Sequence, residues 1–168
     1  MLPESLKRAR AILEDLTPLK SDCGLICQGA CCRPMEGETT GMLLFPGEEK
    51  YYESRDGYHM TKTDQGTLLI CSGRCNRADR PLSCRLMPLI PVIRGDGIKV
   101  ATDLRARPVC PLARQGKDAL DPAFVAAVRE VGRILAQDET QLAFLINLTR
   151  QQDELKALRN QFRRGIHV

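Results

Sequence analysis

The spacing of its eight cysteines constrains this chain more than any other feature. Four fall within ten residues, as Cys23-x3-Cys27-x3-Cys31-Cys32, and a second set runs Cys71-x3-Cys75-x8-Cys84, with Cys110 further on. Thiolate ligands to one metal ion are typically two to four residues apart, because a short loop can then aim two sulfurs at one point. Both clusters contain such pairs, and eight thiolates suffice for two four-sulfur sites. The other reading is a buried thiol cluster without metal, since free cysteine packs well. Apolar packing alone does not demand this spacing, so metal ligation is the expectation, with Cys23, Cys27, Cys31, Cys32, Cys71, Cys75, Cys84 and Cys110 as candidate ligands.

Disulfides are the competing use of so many thiols. At 168 residues with 43% apolar content the chain can bury a real core without staples. The first twenty residues mix Lys7, Arg8 and Arg10 with Glu4, Glu14 and Asp15, so they hold no apolar signal-peptide region. A cytoplasmic, reducing location is expected, where thiols serve as ligands or redox groups. No run free of charged residues exceeds ten, which excludes a transmembrane helix and makes a membrane partner unexpected.

Metal identity is open at this level. Four thiolates suit zinc and suit an iron–sulfur cluster equally, including a 4Fe-4S cluster, whose bacterial motifs end in Cys-Pro as Cys110-Pro111 does. Only His59 and His167 could add nitrogen ligands, and His59 reads as a loop residue beside Tyr58. All-sulfur ligation follows. In extended backbone the neighbours Cys31 and Cys32 point to opposite faces. The expectation is therefore one sulfur to each of two nearby sites, unless a turn redirects one of them. The two clusters are expected to form one region, because recruiting distant cysteines closes a site and ties separate loops together.

Arginine collects around the same segments. Residues 71–115 carry nine Lys or Arg against three Asp, whereas the whole chain is only +4. Arg33, Arg74, Arg77, Arg80 and Arg85 all lie near cysteines, with Arg80 and Arg85 the candidate cofactor-binding pair. Guanidinium groups beside a thiolate centre offset its excess negative charge and donate hydrogen bonds to sulfur. A nucleic-acid patch is the alternative, but Tyr51, Tyr52 and Tyr58 fall outside the basic stretch, so nucleic acid is not expected as a partner.

The rest of the sequence supplies the frame. Leu2, Leu6, Ala9, Leu13 and Leu16 put one apolar face on a helix over 2–17, which Pro18 ends. Asp121-Pro122 opens a helical region over 121–163, with Asp138 or Thr140 capping its last long helix. Between them, Gly41–Phe45, Thr67–Ile70, Leu89–Arg94 and Ile98–Thr102 are short strands, the last two joined around Asp96-Gly97, and Glu48–Ser54 is a short helix. The fold class is α+β: a small antiparallel sheet with cysteine-bearing loops, packed by N-terminal and C-terminal helices in a single domain, 1–168.

Cys23, Cys27 and the Cys31-Cys32 pair, followed by Arg80-Pro81-Leu82-Ser83-Cys84-Arg85-Leu86-Met87-Pro88, resemble the YkgJ-type cysteine-cluster family. The resemblance covers roughly residues 21–115 and implies a zinc- or iron-chelating domain. It also implies that Cys84 sits inside the Arg-Pro-x-x-Cys-Arg signature, with Cys75 before it and Cys110 as the late cysteine. A related region in flagellin lysine methylases implies an iron–sulfur alternative. Two spacings depart from the family pattern: Gln28-Gly29-Ala30 makes the gap before the vicinal pair three residues instead of two, and Cys71 to Cys75 is short.

Three functions follow as expectations. The first is a cysteine-rich protein chelating zinc or iron, with a metal ion and an unidentified protein as partners. The second is an iron–sulfur redox enzyme or accessory subunit, and the third a zinc-stabilised nucleic-acid-binding module. A self-contained hydrolase is not expected, for the chain is poor in His and has no phosphate-binding glycine loop.

Overall fold

A computed structural model describes residues 1–33, 41–71, 73 and 75–165, with only the backbone path for Cys71, Arg164 and Gly165. Arg74 and His167 lie outside the described residues. Six helices run α1 Glu4–Ile12, α2 Cys23–Cys27, α3 Glu49–Tyr52, α4 Leu82–Leu86, α5 Pro122–Leu135 and α6 Glu139–Gly165, among the described residues. Strands β1 Met42–Leu43, β2 Tyr58–Thr63 and β3 Gly66–Cys71 form one antiparallel sheet in the order β1-β3-β2, and β4 Leu89–Arg94 pairs with β5 Gly97–Thr102 in a separate hairpin. The α+β class is as the sequence implies.

The differences have identifiable causes. The single expected sheet is two, because β4 and β5 pair only with each other, and Pro91 on β4 has no N–H to offer a third strand. β2 is mostly exposed, and its apolar alternation is limited to Tyr58 and Met60, too short to announce it. His59 consequently sits in a strand, opposite Ile70, and not in a loop. The first helix stops at Ile12 instead of reaching residue 17, because the carbonyls of Leu13, Glu14 and Leu16 are taken by the Arg77 guanidinium. The 121–163 region forms two helices, as expected, and of the two candidate caps it is Asp138 that accepts from the Thr140 and Gln141 N–H groups to start α6. The hairpin loop is Gly95-Asp96, one residue earlier than expected, with Gly97 opening β5 at φ 114°.

The main apolar core joins α1, α4, α5 and α6, β1 and the hairpin, while a smaller cluster of Leu44, Tyr52 and Leu69 packs β3 against α3. Leu6, Ala9 and Leu13 of the N-terminal segment meet Phe124, Val128 and Val131 of α5, Leu82 and Leu86 of α4, Leu89 and Val92 of β4, and Leu145 and Leu148 of α6. Gly132 marks the tightest approach. A Cβ there would fall 2.6 Å from both Ile98 Cγ2 and Pro91 Cβ, so α5 lies directly on the hairpin. Gly132→Ala should therefore destabilise by about 1–3 kcal/mol through overpacking, although alanine favours the helix. Chemical denaturation reads this, and a neutral or stabilised variant would show that the hairpin can move aside.

Asp138 offers a pH test of the helix start. It also accepts from Ser5 Oγ at 2.7 Å, and that bond first, then the two backbone N–H groups, hold its carboxyl below the usual range. A folded-state pKa below the unfolded one contributes stability above the unfolded value, lost as pH falls through the folded value, below about pH 4. Asp138→Ala should cost about 1 kcal/mol at neutral pH. The gap between the two proteins should close in acid denaturation series, and an unchanged gap would mean that the charge does not cap α6.

Candidate metal centre

Three stretches of chain bring the cysteines together. In the first, Asp22 accepts from the Gly24 N–H at 2.9 Å and caps α2, which sets Cys23 and Cys27 one turn apart on one face. Gln28 and Gly29 then adopt left-handed backbone, φ 54° and 68°, and turn the chain back through a 3₁₀ turn, Ala30–Cys32. Nothing crowds a Cβ at residue 29, so backbone conformation, not space, calls for glycine there. This turn redirects the vicinal pair: Cys31 Sγ and Cys32 Sγ lie 4.0 Å apart and face one cavity, not two separate sites.

In the second stretch β3 ends at Cys71, opposite Tyr58, as the apolar run into that residue implied. Cys75 follows, then the 3₁₀ turn Arg77–Asp79 and α4, which carries Cys84 in its first turn. In the third, Cys110 lies between two 3₁₀ turns, Leu104–Ala106 and Pro111–Arg114. It is buried against Ala106, Ala113, Met87 and Leu112.

These stretches enclose a cavity of about 140 Å³ lined by Cys23, Cys27, Cys31, Cys32, Cys75, Cys84 and Cys110. Seven of the eight candidates thus share one space, although up to 87 residues separate them. None of the seven is in a disulfide. The rest of the wall is largely apolar, from Leu16, Pro18, Met42, Leu69, Met87 and Leu112. Among the described residues no three Cys, His, Asp or Glu are drawn together as tightly as a single ion demands. The sulfurs surround a volume close to that of an engineered cavity that holds benzene.

Electrostatics divide the thiols. Burial, then the neighbouring Cys27, Asp22 and Cys110, push the Cys23 thiol up. Cys31 is raised by its bond to Cys32, by burial, and by Cys32, Cys84 and Cys110 nearby. Cys32 is pulled down to about 6, first by the bond from Cys31 and then, against burial, by Arg80. The pair therefore shares one proton, with the charge held beside Arg80.

Of the arginines near cysteines in sequence, Arg80 reaches sulfur. Burial works to lower its pKa, but a hydrogen bond to Cys75 and the charges of Cys75, Cys32 and Asp22 leave it raised. Arg33 bonds within its own loop, to the carbonyl and side chain of Gln28. Arg77 is committed to the carbonyls after α1. Arg85 lines the cavity, but its N–H groups go to backbone carbonyls and to Glu14. Its expected place as a cofactor-binding residue thus becomes one in the cavity wall, holding the loop that carries the thiols. Within the basic stretch Arg94, Lys99 and Arg105 pair with Asp153, Asp96 and Asp103, whereas Arg107 lies near the like-charged Arg159 of α6.

No family model, no curated protein and no solved structure matches this chain. Its site must be read from its own residues. Cys32, Cys75 and Arg80 also border an outer groove with Asp22, Arg33, Arg55, Asp56 and Asp79, so the cavity communicates with the surface on that side. Sequence reasoning missed Arg10, Glu48 and Tyr52, which lie under the 77–80 loop. Their only sequence signal was Arg10 set between Leu6 and Leu13 on the buried side of α1.

Proposed function

We propose that the cavity is a metal–thiolate centre and the protein a cysteine-rich chelator of iron or zinc, of the YkgJ type, working in a reducing compartment. The observation that carries this reading is the convergence of seven thiols from three distant stretches on one space. Thiolates in that number suit soft metal centres, zinc and iron–sulfur clusters among them. The donor set fits such a group: none of the seven thiols is in a disulfide, Arg80 offsets thiolate charge, and much of the remaining wall is apolar, with Cys31 on the exposed side. Of the two, we take the iron–sulfur cluster as the working reading, because a cavity of about 140 Å³ leaves more space among the thiols than one zinc ion fills. Cys23, Cys27, Cys31, Cys32, Cys75, Cys84 and Cys110 are the residues that would hold the group, with Cys71 available at the end of β3. The group when bound would supply structural cross-linking and, as a cluster, one-electron chemistry.

Metal and acid-labile sulfide analysis of protein purified without oxygen tests this. Iron with stoichiometric sulfide and a broad visible absorption is the expected result. A colourless protein containing zinc would keep the chelator and remove the cluster, and protein that neither contains nor takes up either metal would overturn both.

A further inference from the structure

Four successive backbone carbonyls between Cys75 and Cys84 are held by side chains from outside the loop. Arg85 Nη2 donates to the carbonyls of Arg77 at 3.0 Å and Ala78 at 3.1 Å, and Arg85 Nε to that of Arg80 at 3.2 Å. Arg10 Nη2 donates to Ala78 O at 2.8 Å, and the Tyr52 hydroxyl to Asp79 O at 2.6 Å. The other nitrogen of Arg85, Nη1, donates to Arg10 O at 3.4 Å and Glu14 Oε2 at 2.8 Å. A guanidinium has five N–H donors, and five acceptors are in place, so Arg85 keeps none for a sulfur or a bound group. From within the loop, Arg77 reaches back to the carbonyls of Leu13, Glu14 and Leu16. The loop and the end of α1 thus satisfy each other's backbone, and only two hydrogen bonds of its own shape the 3₁₀ turn between them.

We infer that Arg85 is a positioning residue of the thiol cavity: with Arg10 and Tyr52 it clamps the 77–80 backbone against the end of α1 and so holds Cys75 and Cys84 at the cavity wall, while binding neither metal nor sulfur. Its consequence for metal affinity rests on the reading of the cavity as a metal centre. The clamp works at both ends of one short span: Cys75 lies two residues before the first clamped carbonyl and Cys84 four after the last. Releasing it frees the backbone on both sides and takes no ligand away.

Cobalt(II) titration of the full chain with reduced thiols tests the clamp, read through the sulfur-to-cobalt absorption band. The proteins are the wild type, Arg85→Gln, Arg85→Lys and Tyr52→Phe. Alkylation rates at Cys75 and Cys84 in the metal-free proteins, resolved by peptide mass, form a second arm. Arg85→Gln should weaken cobalt binding by about 10- to 100-fold, the usual effect of losing a partner behind the ligands. It should also speed alkylation at both cysteines. Arg85→Lys should recover part of both effects. Tyr52→Phe, which removes one hydroxyl from an otherwise unchanged ring, should show the same changes more weakly and carries the test if Arg85→Gln does not fold. Gly132→Ala controls for stability alone and should bind cobalt as the wild type does. Equal cobalt affinity in wild type, Arg85→Gln and Tyr52→Phe removes the clamp and leaves the metal reading. Wild-type protein that takes no cobalt removes a single-ion site and leaves the cluster to the iron and sulfide analysis. The alkylation rates then decide alone: faster in the variants keeps the clamp, unchanged removes it.

Discussion

Replacing Glu48 by alanine should destabilise the protein by about 3–5 kcal/mol, because it leaves a buried charge without its partner. Glu48 is fully buried, and its Oε1 accepts from Arg10 Nη1 at 3.1 Å and from the Leu82 N–H at 2.9 Å, while Oε2 accepts from the Phe45 N–H at 3.1 Å. The change strands a guanidinium and two backbone N–H groups away from water, and each orphan donor carries its own penalty. For a chain of this size the midpoint of thermal unfolding should fall by about 10 °C. Glu48→Gln separates shape from charge. It keeps one oxygen for Arg10 and Leu82 but turns an amide N–H₂ toward the Phe45 N–H, so it should cost less, about 1–3 kcal/mol. Burial raises the Glu48 pKa against the pull of Leu82, Phe45 and Arg10. A raised carboxyl favours the fold below its unfolded value and loses that contribution as pH rises through its folded value. Glu48 should therefore lose no stabilisation as pH falls, whereas Asp138 and Asp153, both held low, should each lose theirs. An alanine variant within 1 kcal/mol of wild type would show that the network is not worth its burial, against the expected range.

Cys110→Ser should cost the protein its metal more completely than any arginine change. Cys110 is the buried thiol of the cavity wall, near both Cys23 and Cys31 of the first cluster. Serine keeps the size but offers no thiolate, and its loss should exceed the roughly 100-fold upper range for residues behind the ligands. Cys84→Ser and Cys27→Ser should also lower bound metal. Arg80→Glu, which puts a carboxylate beside Cys75 and Cys32, should lower it more than Arg163→Glu at the exposed end of α6. Metal content by mass spectrometry decides the series. Full retention in Cys110→Ser would place the metal elsewhere or nowhere.

What could be read from the sequence, and what could not, divides by range. Local signals were reliable: the 3.6-residue stripe of Leu6, Ala9 and Leu13, the Asp121-Pro122 helix start and the β4–β5 turn each depend on neighbours in sequence. The gathering of both cysteine clusters was legible from their spacing, and seven sulfurs do line one cavity. The vicinal pair was harder. Its geometry depends on Gln28 taking a left-handed conformation that non-glycine residues seldom adopt, and nothing in the residue type announces it. The arginines were the least legible. Charge counting made Arg80 and Arg85 equals, but only long-range packing shows Arg80 on sulfur and Arg85 spent on carbonyls. Arg10 with Glu48 is a contact across 38 residues with no periodicity to betray it.

X-ray absorption at the metal edge of the anaerobically purified protein tests the central claim most directly. The account predicts a first shell of sulfur alone, at about 2.3 Å, with iron neighbours beyond it if the centre is a cluster. A first shell of nitrogen or oxygen at about 2.0–2.2 Å would contradict it, because the seven cysteines around the cavity would then not be what holds the metal.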